Sequence, residues 1–94
     1  MFIVSVTYQA DLEDIDAALP LHREWLEQHY AEGVFVLSGR QVPRIGAVIL
    51  ATGVSRSDLN RRLAQDPFHL QQLATYAVVE IEPTMAVDAL AFLR

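Results

Sequence analysis

Strand-like and helix-like segments alternate along this chain in the order β-α-β-β-α-β, and few folds accept that order within 94 residues. Residues 2–8 (Phe-Ile-Val-Ser-Val-Thr-Tyr) are, apart from Ser5, β-branched or aromatic, which favours a strand. Phe2, Val4, Val6 and Tyr8 make an apolar face, and Ile3, Ser5 and Thr7 a mixed one. A helix is expected from Leu12 to Ala31, with acidic residues at its start, where the helix dipole favours them. Pro20 lies inside it, so the helix either bends there or begins near it. Gly33 is a natural terminator.

Val34 to Ser38 reads as a second strand and Ile45 to Ala51 as a third, apolar on both sides and therefore central. The two should form a hairpin through the 38–44 loop, with Gly46 allowing a close backbone approach. Ser55 and Asp58 mark a helix start, with Leu59 and Leu63 on its buried face. Asp66-Pro67 ends that helix, because the residue before proline avoids helical geometry. Phe68 to Leu73 is expected as a short helical segment, Tyr76 to Glu82 as the fourth strand, and Thr84 to Leu93 as a short terminal helix.

These elements form one α+β domain over residues 1–94. The arrangement is ferredoxin-like βαββαβ, a four-stranded antiparallel sheet with two helices on one face. The other sheet face is left bare, which predicts a homodimer whose sheets pack together. The apolar fraction of 52% agrees, being generous for a small monomer.

The charge narrows the partners. The net charge is −5, and all seven basic residues are scattered arginines. No basic stripe could track a phosphate backbone, so nucleic-acid binding is not expected. The absence of cysteine excludes disulfides, thiol nucleophiles and zinc–thiolate sites. No run is long enough for a membrane span. No basic segment precedes Phe2-Ile3-Val4, so a signal peptide is not expected and a cytoplasmic protein is.

The chemistry points to His22. Ile15, Leu19, His22, Leu26 and Tyr30 recur at helical steps of three and four, placing an imidazole on the apolar stripe. Such a group is costly unless its nitrogens are paired. Asp66 is the candidate partner. A carboxylate on one ring nitrogen fixes the tautomer and leaves the other nitrogen as a base. The competing reading is a satisfied core pair that staples two helices. His29 lies two turns, about 10 Å, beyond His22, too far to share a metal ion. Neither a metal nor another cofactor is expected, since no glycine-rich phosphate loop is present either.

The motifs together resemble the YCII-related (YciI-like) family of small bacterial proteins over nearly the whole chain. The resemblance rests on Met1-Phe2-Ile3-Val4, His22-Arg23-Glu24-Trp25-Leu26, Gly33-Val34-Phe35, Ser38-Gly39 followed by Pro43-Arg44 and Gly46, and Asp66-Pro67-Phe68. The family pattern has Ser-Gly followed directly by proline, and here Arg40-Gln41 stands in that place. The resemblance implies a dimeric α+β barrel with a His–Asp pair in a pocket, which maps onto His22 and Asp66.

The reading that follows is a small dimeric enzyme without a cofactor. His22 would be the general acid/base and Asp66 its orienting partner in an isomerase- or lyase-type proton transfer. Ser38, Gly39, Arg44 and Phe68 would bind a small polar or anionic molecule. Arg23 is expected to face solvent or the partner. A Ser38–His22–Asp66 nucleophilic triad would require the three to converge in line. The alternative is a non-catalytic module for small-molecule or protein binding with a structural His–Asp pair, and it is distinguished by a closed site.

Overall fold

The computed structural model describes residues 1–94. The elements are β1 (Phe2–Tyr8), α1 (Leu12–Ala31), β2 (Phe35–Arg40), β3 (Gly46–Ala51), α2 (Arg56–Leu63), α3 (Pro67–Leu70) and β4 (Ala74–Glu80), followed by a 3₁₀ turn, Asp88–Leu93. The four strands form one antiparallel sheet in the order β2-β3-β1-β4. This is the ferredoxin-like α+β arrangement, with the core between the sheet and the helices. Phe2, Val4 and Val6 of β1 meet Ile15, Ala18 and Trp25 of α1 in a single buried cluster.

Helix α1 is continuous through Pro20, which is exposed. Its buried stripe is Ile15, Ala18, His22, Trp25 and His29. That stripe is rotated from the one the hydrophobic residues suggest: Leu26 is only half-buried, and Tyr30 is exposed. Two histidines therefore take core positions. The helix stops where Gly33 adopts a left-handed φ of 75°. Val34 N–H then donates to His29 O and Gly33 N–H to Tyr30 O, which satisfies the last carbonyls.

Several boundaries differ from the sequence-based expectation. β4 spans Ala74–Glu80 rather than residues 76–82, because it pairs with β1 along its whole length, from Tyr8↔Ala74 to Phe2↔Glu80. β2 runs on to Arg40 rather than ending at Ser38, held by its pairing with β3. The short helix starts at Pro67, one residue earlier than Phe68, and ends at Leu70. The terminal helix is a 3₁₀ turn over residues 88–93 rather than a helix from Thr84, and it has no side-chain cap.

Gly46 carries the hairpin past β1. A Cβ at this position would collide with the backbone carbonyl of Val6, so the approach requires glycine. On the sheet face away from the helices lie Ile3, Leu37, Val48, Leu50 and Val79, by the register of the strands. Leu37 and Val79 are more than half exposed. No helix is long and apolar enough to cross a membrane.

Candidate functional site

The site begins with the Asp66-Pro67-Phe68 corner. Proline holds Asp66 in an extended conformation (φ −60°, ψ 127°), and Asp66 caps α3. Its Oδ1 accepts the Phe68 backbone N–H at 3.0 Å. The same oxygen lies 2.7 Å from His22 Nδ1, joining residues 44 positions apart. Its Oδ2 accepts the Tyr76 hydroxyl at 2.5 Å. Asp66 is wholly buried, and these three contacts replace the water it has lost.

This arrangement sets the roles of the imidazole nitrogens. An acceptor at Nδ1 requires the neutral ring to carry its proton there, which leaves the Nε2 lone pair free. Nε2 has no protein partner, yet it is not sealed from solvent. The ring lies on the wall of a cavity of about 350 Å³ between α1, the sheet and α3. On its other side the ring is held by Phe68, stacked at 3.9 Å between centroids and 6° between planes.

Tyr76 is the site residue that sequence reasoning missed. The expected start of β4 put it at a strand end; the two-residue shift puts it inside the strand. It then falls opposite Val6, on the helix-facing side, within reach of Asp66. Burial, then the bond to Asp66, push its phenol far above the ordinary tyrosine range, so it is a permanent donor.

The cavity is apolar along Leu19, Leu26, Ala47, Ile49 and Phe68, and polar at Ser38, Arg23 and Arg40. A β-bulge brings the polar groups in. Phe35 is buried in the core, but the register with β3 slips between Phe35 and Leu37. Simple alternation from Phe35 would turn Ser38 and Arg40 to the far sheet face. The slip places them opposite Ile49 and Ala47 instead, on the cavity side. An extra residue that redirects side chains in this way is a known use of bulges.

Of the residues singled out from the sequence, His22, Ser38, Gly39 and Phe68 meet at the cavity, and Asp66 stands directly behind His22. Arg44 does not join them. Its guanidinium is taken by Asp16 at 2.5 Å, beside Tyr8, and Arg40 occupies the wall instead. Arg23, expected to face away, lines the rim. Ser38 Oγ bonds Tyr30 OH at 2.7 Å and not His22, so no nucleophilic triad is assembled. His69 is exposed and lies off this wall. No group of three or more His, Asp or Glu converges as a metal site would require.

A second polar cluster lies further along α1. Arg62 Nη1 donates to His29 Nδ1 at 2.9 Å, and Arg62 also pairs with Asp58 and Glu32. His29 Nε2 is buried without a partner. Burial, and then the Arg62 charge, hold the His29 pKa below the ordinary histidine value.

Comparison with known proteins agrees with this fold. The sequence profile of the YCII-related domain matches residues 1–84. No curated protein sequence matches significantly. Among solved structures, the chain is similar to 5-chloro-2-hydroxyhydroquinone dehydrochlorinase (TftG) from Burkholderia phenoliruptrix AC1100, in complex with 2,5-dihydroxybenzoquinone. The TM-score is 0.72 at 15% identity, and the match covers 86% of this chain and 93% of that one. The likeness is one of fold.

Proposed function

Because this chain belongs to the YCII-related domain family, we propose that it is a cofactor-independent enzyme in which His22 moves a proton on a small polar or anionic molecule. The observation that carries the reading is the oriented imidazole. Nδ1 is held by a buried carboxylate at 2.7 Å, while Nε2 has no protein partner and the ring lines a cavity. In the first step Nε2 takes a proton from an acidic C–H or O–H of the substrate, and the bonding pair stays on the substrate as an enolate or phenolate. The Asp66 charge stabilises the imidazolium that forms. In an isomerisation His22 returns the proton to another substrate atom. In an elimination the electron pair expels a leaving group.

The apolar wall and the Phe68 stack limit water around the base. The similar fold of a dehydrochlorinase is compatible with the elimination branch, although fold alone does not select a reaction. A purely structural pair would be expected to be sealed, and the open Nε2 favours the catalytic reading over a non-catalytic module. Ser38 and the Gly39 backbone are assigned to substrate contact, since both lie on the wall. Arg44 keeps only an outer role, because Asp16 occupies it. Homodimerisation through the bare sheet face, and a cytoplasmic setting, belong to the same proposal.

The test is proton exchange. Cyclic 1,3-diketones and hydroxyquinones in D₂O are followed by NMR with and without protein. Catalysed exchange is expected, and His22→Gln should lose roughly 10²–10⁴-fold of it. Equal exchange by the variant would remove His22 as the base.

A further inference from the structure

Resting on the site proposed above, we infer that the cavity selects a flat, monocyclic organic anion, whose charge is held by Arg40 and Arg23 while its ring lies on the apolar wall beside His22. The class is a carboxylate, enolate or phenolate on a single ring.

The charges around the cavity carry this inference. The chain is acidic, at −5, and its overall field repels an anion. Yet no Asp or Glu lines this cavity, and two of the seven arginines do. Arg44, Arg61 and Arg62 have carboxylate partners, whereas Arg23 and Arg40 have none within ion-pair distance. Asp16 feels the charge of Arg40, but its carboxylate is engaged by Arg44. Two uncompensated guanidinium groups therefore share the wall of one concave site.

Solvated surface arginines are the ordinary alternative, and the bulge argues against it for Arg40. Regular alternation would have sent Arg40 to the far sheet face. The slip between Phe35 and Leu37 redirects Ser38 and Arg40 together, so a hydroxyl and a guanidinium arrive on the same wall as His22. A guanidinium matches a carboxylate or enolate oxygen with paired N–H donors. The apolar residues opposite supply a surface for a ring rather than for a hydrated inorganic ion. A volume of about 350 Å³ is at the small end for ligand sites, which restricts the ligand to one ring.

The test uses calorimetric titration of the full chain with benzoate and with benzamide, its uncharged counterpart of the same shape. Benzoate should bind at least about tenfold more tightly than benzamide, the worth of one good charged contact. Its affinity should fall as salt rises. Arg40→Gln should remove most of the difference, Arg23→Gln part of it, and Arg56→Gln, away from the cavity, none. Equal affinity for the two probes, no binding of benzoate, or indifference of benzoate to Arg40→Gln would each overturn the inference. Circular dichroism of each variant identifies any that fails to fold, and Arg40→Lys then replaces it; the lysine keeps the charge but not the paired donors, and should restore only part of the preference.

The two readings fail separately. Benzoate selectivity without proton exchange would sink the general-base proposal alone. Exchange without selectivity would sink the anion inference alone.

Discussion

The imidazole of His22 lies flat on the ring of Phe68, with 3.9 Å between centroids and 6° between planes. The same Phe68 donates its backbone N–H to Asp66, the carboxylate that holds His22. One residue thus supports both members of the pair, its ring fixing the base and its amide fixing the partner. Phe68→Leu keeps the amide and loses the stack. Exchange activity should fall several-fold, with a stability loss of about 1–1.5 kcal/mol. Urea unfolding and the exchange assay on the same preparation separate the two effects; unchanged activity would mean that the stack does not orient the base.

Asp66 and Tyr76 should differ in severity when replaced. Asp66→Asn lets the side chain donate to Nδ1, so the ring can take the wrong tautomer. Activity should fall by roughly 10²–10⁴. Tyr76→Phe removes only the donor to Oδ2 and leaves His22 paired. It should cost about 1–2 kcal/mol and a smaller share of activity. The ¹H–¹⁵N NMR signal of His22 Nδ1–H should persist in Tyr76→Phe and be lost or strongly shifted in Asp66→Asn.

Stability should decline in mild acid through His29. Its pKa is lower in the folded chain than the ordinary value, chiefly through burial and then through Arg62. The unfolded chain therefore binds the proton more readily, and folding loses free energy as pH falls below about 6.5, the free-histidine value. Urea midpoints at pH 7.5 and 5.5 should drop in the wild type and drop less in His29→Gln. The same slope in both proteins would place the effect elsewhere.

Gly46→Ala should destabilise the fold, because the new methyl meets the Val6 carbonyl and neither backbone can retreat without breaking the β1–β3 ladder. A loss of about 1–3 kcal/mol is expected from the thermal midpoint. A neutral result would show that the strands can separate locally at no cost.

The bare sheet face should pair with a second copy. Light scattering should find twice the 10.5 kDa chain mass. Val79→Asp, which adds a charge to that face away from the core, should yield monomer. A monomeric wild type would leave Leu37 and Val79 without the proposed cover.

Most of the fold was legible locally. Strand and helix periods, the Gly33 stop and the Ser55 cap each depend on residues a few positions apart, and their order left little choice of topology. The buried stripe of α1 was less legible: hydrophobicity favoured Leu26 and Tyr30, while the core chose Trp25 and His29. His29 is accommodated there because Arg62, from a helix 33 residues away in sequence, bonds its ring.

What the sequence by itself determined is the βαββαβ order, and the need of a histidine on an apolar helix face for a partner such as Asp66. Those follow from short-range periodicity and from the cost of an unpaired buried polar group. Only the tertiary structure decided which arginine meets the cavity and what holds the second oxygen of Asp66. A one-residue slip in β2 reversed the facing of Arg40, and the pairing of β4 with β1 set Tyr76 opposite Val6, on the helix-facing side. Strand register is a property of paired strands, set by neighbours distant in sequence, and a single slip turns every later side chain to the opposite face.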